Sequence, residues 1–271
     1  MSSRAGGGGI RIASAGHAAF AITMVALGIM GLVTRDFTPI WPPVPEGLPG
    51  HAVLIWLCAL VPLAGGIGLF GRRTAAAAAR GLLAYFLLWL LFLRLPLMIA
   101  SFAVNTWWAT CQTAVMAAAA WVLYAWFATD RDRRRVGSLA GERGVRVARV
   151  LYGAGLIPFG LAHFLYLGAT APLVPSWLPG PVFWSYFTGA AFVVAGAAMI
   201  VGVAGRLAAA LSALQVGLFT LLVWVPIVAA GGATESQWGE AIVSWALTAC
   251  GWVVADSYRG TPWLSAGRKP S

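Results

Sequence analysis

A chain of 271 residues that is 60% hydrophobic and only 10% charged, with a mean hydropathy of +0.83, carries more apolar surface than one soluble core can hide. The bilayer is its expected solvent. The net charge of +10 does not point to nucleic acid, because long apolar runs separate the arginines and no continuous basic face forms.

In chain order, residues 1–11 form a Gly-rich, flexible lead. No small-residue cleavage site follows a short apolar stretch, so the first apolar run is expected to be retained as a helix. A helix that crosses the membrane needs roughly 20 mostly apolar residues. Four such runs, Ile12 to Val33, Ala52 to Phe70, Gly81 to Ala100 and Trp107 to Ala128, make up a first unit over 12–128. Residues 129–146 read as a basic cytoplasmic linker. A second unit over 147–256 holds Val147 to Leu167, Pro181 to Ala204, Leu207 to Ala230 and Gln237 to Asp256, and a tail follows at 257–271. The expected fold is therefore all-α, a membrane protein of eight transmembrane helices.

Of the 18 Lys and Arg, all but Arg35 and Arg94 fall in alternate connections, the excess that marks cytoplasmic loops. This places both termini in the cytoplasm of a bacterial-type inner membrane. The halves also repeat. WPPVPEGLPG before the second span matches VPSWLPGP before the sixth, and GRRTAAAAARGLLAYFLL matches GRLAAALSALQVGLFTLL. The offset stays near 130 residues through Pro96 and Pro226 and through Trp108 and Trp238. Four spans return the chain to its starting side, so the halves are expected to be parallel-repeat four-helix bundles, unlike the inverted repeats of many transporters.

The segment GLIPFGLAHFLYLGATAPLVPSWLPGPVFWSYFTGAAFVVAGAAMIVGVAGRLAA resembles the DoxX-like family of small four-helix membrane proteins. The resemblance lies in the GLAHF turn ending one helix and in the VPSWLP loop before the next. It covers about Val147 to Asp256 well and the first unit weakly, so the chain reads as a tandem duplication. It departs from the family at Phe192, where related chains often carry an acidic residue. The resemblance implies an accessory subunit of a membrane redox assembly that docks quinone or an oxidoreductase partner protein.

An ionisable side chain inside a span costs at least ~2.5 kcal/mol by insertion scales, so it faces a partner or a wet cavity. Arg94, His163 and Glu240 meet that description. At ~1.5 Å per residue they lie roughly 5 to 9 Å below the outer interface. Two readings follow: an outward polar pocket in which Arg94 pairs with Glu240 beside His163, or a structural ion pair with a hydrogen-bonded histidine. Secondary candidates are His51, Gln112 and Gln215, the last two as interhelical hydrogen-bonding residues. Trp177 belongs to a stiff, interface-seeking outer loop, either a membrane-surface cap or a lid over an amphiphile.

Cys58, Cys111 and Cys250 lie in apolar spans without CxxC spacing and read as packing residues, and no metal site is expected. No GxSxG, HExxH, P-loop or dinucleotide fingerprint occurs, which argues against a soluble-type catalytic centre. Besides the redox-subunit reading, two others remain: a carrier or scaffold for lipid or a small solute, and an assembly factor with no ligand.

Overall fold

The computed structural model describes residues 11–101 and 103–265. The expected lead, with Arg4, and the end of the tail, with Arg268 and Lys269, lie outside the described residues. Among the described residues eight helices are long and apolar enough to cross a membrane: α1 (Ala15–Thr34), α2 (His51–Phe70), α3 (Ala75–Ser101), α4 (Val104–Phe127), α5 (Glu142–Leu165), α6 (Pro181–Val201), α7 (Gly205–Ala229) and α8 (Glu235–Asp256). No strand occurs among the described residues.

The helix ends follow local chemistry. Ser14 accepts the His17 N–H at the start of α1, and Thr234 with Gln237 forms a capping box that starts α8. Gly202, at φ 77°, stops α6 in the left-handed region that glycine enters without a Cβ clash. Two expected boundaries differ. The α3 helix begins at Ala75, because its alanine run is a strong helix former and continues straight out of the basic turn. The 129–146 linker is largely helical. Thr129 and Asp132 cap a short helix, Asp130–Val136, and α5 already begins at Glu142. Arg80 of α3 holds Asp132 at 2.6 Å and pins this linker helix to the bundle. The Thr129 hydrogen bonds, joined by Arg80, keep the Asp132 carboxyl below its usual range.

Sequential helices pack side by side within each half, while α1 against α8 and α4 against α5 and α8 join the halves. The α4 helix is the most enclosed span. Its run Ala117–Ala120 is fully buried, because side chains no larger than methyl let neighbouring helices close in around it.

Two features recur about 130 residues apart. In α3 and α7 the backbone opens into a π-turn, at Leu90–Arg94 and Thr220–Trp224, just before Pro96 and Pro226. A proline inside a helix lacks an N–H and crowds the carbonyl four residues earlier, and a wider turn relieves both faults. At the helix crossings, a Cβ on Gly66 would lie 2.6 Å from the Ala21 carbonyl, and one on Gly196 would lie 2.5 Å from the Gly153 carbonyl. Only glycine permits α1–α2 and α5–α6 to approach this closely.

Candidate functional site

Arg94 ends the first π-turn and is 1% exposed. Its guanidinium points at the loop after α1. Nη1 donates to the Pro43 carbonyl at 2.9 Å, Nη2 donates to the carbonyls of Trp41, Pro42 (3.0 Å) and Ile40 (3.4 Å), and Nε donates to Thr113 Oγ1 of α4 at 3.3 Å. The sequence explains the match. Pro42, Pro43 and Pro45 have no N–H, so the segment is rich in acceptors and poor in donors, and a guanidinium supplies five donors in a fixed fork. Trp41 then seals the cluster, its ring 4.9 Å from Trp89, 5.4 Å from Tyr85 and 5.8 Å from Phe86. Behind it Tyr85 Oη and Cys58 Sγ are 3.0 Å apart.

The pairing of Arg94 with Glu240 does not form. Among the described residues the ion pairs are Arg80 with Asp132 and Arg259 with Asp256. Glu240 is half-buried and makes no hydrogen bond among the described residues. Its helical face also carries Ser244, Leu247 and Gly251, and Ser244 and Gly251 meet Thr220 of α7 and Tyr152 of α5. Arg94 instead turns toward a loop and helix of its own half, where backbone carbonyls do the work expected of a carboxylate.

His163 belongs to a third environment. Its Nδ1–H donates to the Phe159 carbonyl at 2.8 Å, and its ring lies 6.0 Å from Phe219 and 5.7 Å from Phe192. That bond leaves Nε2 as the nitrogen able to accept when the ring is neutral. Among the secondary candidates, His51 packs edge-on to Phe37 at 5.2 Å and Gln215 donates to the Thr188 carbonyl at 3.0 Å. Gln112 is buried in α4, and Trp177 is 67% exposed on its loop. No three His, Cys, Asp or Glu side chains gather into a possible metal site among the described residues.

The cavity sequence reasoning missed lies between the halves. The helices α1 and α7 form its walls and α8 its floor, enclosing about 370 Å³. Its lining is almost wholly apolar and includes Leu27, Met30, Val228, Trp224, Trp238 and Trp245. The α1 residues Thr23 to Met30 sit roughly 6 to 16 Å below the Thr34 end of that helix, well inside the hydrocarbon layer. Ala26, Val225 and Ala229 are exposed there, so the groove opens sideways toward lipid.

Most of the few polar atoms of the wall are already committed, the indole N–H groups of Trp224 and Trp238 excepted. Thr23 and Thr220 each donate to the carbonyl one turn back, at 2.8 and 3.0 Å, and Trp245 Nε1–H donates to Thr23 Oγ1 at 3.0 Å. The legible signal was the spacing of Trp238, Trp245 and Trp252. It places one tryptophan every second turn along one face of α8, each about half exposed.

No protein-family model, curated protein or solved structure matches this chain. The DoxX-like resemblance therefore rests on its motif residues alone.

Proposed function

We propose that the protein is a multi-pass membrane scaffold that holds a lipid chain in the groove between α1, α7 and α8. The observation that carries this reading is the groove's chemistry: about 370 Å³ of apolar wall at hydrocarbon depth, open to the bilayer and offering the ligand few uncommitted donors. A pocket of this size is at the lower end of those that hold small ligands. A chain that enters from the hydrocarbon layer leaves no water behind, so van der Waals packing against the wall is the interaction the groove can offer. Tryptophan suits the wall because its large flat ring covers chain carbons with few rotatable bonds to order.

The same reading takes the chain as two parallel four-helix units. The matched π-turns and the matched glycine crossings, each 130 residues apart, support that arrangement. It also sets the basic end of the bundle in the cytoplasm and the groove in the outer leaflet of an inner membrane, supported by arginine clustering at one end.

A second reading is the redox accessory role with bound quinone and an oxidoreductase partner. In its support, the GLAHF residues lie at the end of α5 and the VPSWLP loop runs into α6, the placement on which the resemblance rests. A quinone tail would fit the groove, but its ring carbonyls would find the threonine hydroxyls spent on helix carbonyls and only the Trp224 and Trp238 indole N–H groups left to donate.

Lipid extraction from the purified protein separates the readings. The scaffold reading expects co-purified phospholipid that falls several-fold in Ala26→Trp, a change that fills the groove from an exposed position. A stoichiometric quinone lost in the same variant favours the redox reading. Equal lipid in both proteins, without quinone, rejects the groove as a binding site.

A further inference from the structure

At the basic end, most arginines that touch the bundle are occupied by the chain itself. Arg80 and Arg259 pair with aspartates. Arg149 donates Nε–H to Ser257 Oγ at 3.0 Å and lies 3.7 Å from the Tyr258 ring centre. Arg206 donates to the Thr261 carbonyl at 2.8 Å and lies 4.1 Å from the Trp263 ring centre.

Arg143 and Arg146 differ. Both are exposed in the first turns of α5, and neither has a hydrogen bond or an ion pair among the described residues. They share one face with Val147 and Val150, and the four residues line a shallow pocket of about 320 Å³. The pocket wall is almost wholly aliphatic, made by the arginine stems and the valines, and all four residues are exposed, so the two guanidiniums stand free beside it.

The positive end of the α5 dipole adds to the two charges, and Glu142 is the one acidic residue in that first turn. Four further exposed arginines, Arg131, Arg133, Arg134 and Arg135, stand on the linker helix that Asp132 and Arg80 fix in place.

We propose that Arg143, Arg146, Val147 and Val150 form a site for one anionic phospholipid, the phosphate held by the two guanidiniums and the acyl chain laid along the valines. A free phosphate satisfies only the two guanidiniums and leaves the aliphatic wall bare, and an acidic peptide would leave the exposed valines unused. A lipid with an anionic head satisfies both. The fixed arginines of the linker raise the local anion concentration without entering the pocket.

The test uses the full chain in mixed nanodiscs, with retained lipid counted by native mass spectrometry. Phosphatidylglycerol and phosphatidylcholine with identical acyl chains serve as probes. The wild type is expected to retain phosphatidylglycerol preferentially. Arg143→Gln with Arg146→Gln is expected to cut that preference about 30-fold at low salt, the equivalent of ~2 kcal/mol for two guanidiniums near a charged surface. Arg72→Gln, which removes a charge at the same end but outside the pocket, is expected to change it less than threefold.

Val147→Ser with Val150→Ser is expected to lower phosphatidylglycerol retention as well. The proposal is overturned if the two lipids are retained equally by the wild type, or if Arg72→Gln matches the double arginine variant. It is also overturned if 10 mM inorganic phosphate displaces the lipid fully while the valine variant behaves as wild type, since the site then reads phosphate alone.

Discussion

Replacing Arg94 by Met keeps an unbranched chain in the α3 π-turn but removes every donor from the loop Ile40–Pro43. Three carbonyls, those of Trp41, Pro42 and Pro43, then lose the bonds that the guanidinium donates. At about 1 kcal/mol net per hydrogen bond lost, the loop is destabilised by ~3 kcal/mol. Trp41 leaves with the loop, and its ring is what covers Tyr85 in front of Cys58. The reporter is therefore Cys58, 2% exposed, labelled by a small thiol reagent in a Cys111→Ala, Cys250→Ala background. When reclosing outpaces labelling, the rate follows the open population, so ~3 kcal/mol becomes an acceleration of about 100-fold. Lys at position 94 donates from one point rather than a fork, so it keeps part of the cradle and gives an acceleration near tenfold. Glu240→Gln is expected to leave the rate unchanged. A Met variant within threefold of wild type, or a Glu240 variant as fast as Met, refutes the carbonyl cradle.

Further outcomes follow from the same geometry. Asp132→Asn removes the charge that Arg80 pairs with and weakens the Thr129 cap, so linker amides exchange faster in hydrogen-exchange measurements by the equivalent of ~1 kcal/mol. Because the folded Asp132 carboxyl lies below its unfolded value, its contribution is present above about pH 4 and fades as pH falls through the lower, folded value. Protection in the wild-type linker should follow that acid limb and the Asn variant should not. Gly196→Ala forces a Cβ to 2.5 Å from the Gly153 carbonyl and should lower the detergent unfolding temperature by the equivalent of 1–3 kcal/mol, roughly as Gly66→Ala does. A silent glycine variant in either half would remove the close crossing from the account.

The eight spans were legible because each is a long apolar run closed by charge, proline or glycine, and the structure keeps all of them. The helix within the linker is masked by its charge, although the Thr129 to Asp132 capping box that starts it is a local signal in the sequence. Arg94 was recognised as a residue in need of a partner, but the partner was sought among carboxylates. Its true neighbours are carbonyls some 50 positions earlier, and only the prolines at 42, 43 and 45 hinted that those carbonyls lacked donors. Glu240 and His163 stayed apart from it because matching depth along different helices says nothing of the direction each helix faces. The groove arises from a gap between α1 and α7, which no pattern within a single helix encodes. Only the seven-residue spacing of tryptophans on α8 pointed toward it.

A structure of the protein in lipid nanodiscs tests the central claim most directly. The account predicts continuous chain-shaped density between α1 and α7, resting on Trp238 and Trp245 and ending in a headgroup at the loop-bearing end. Closure of α1 onto α7 with no density between them would contradict it.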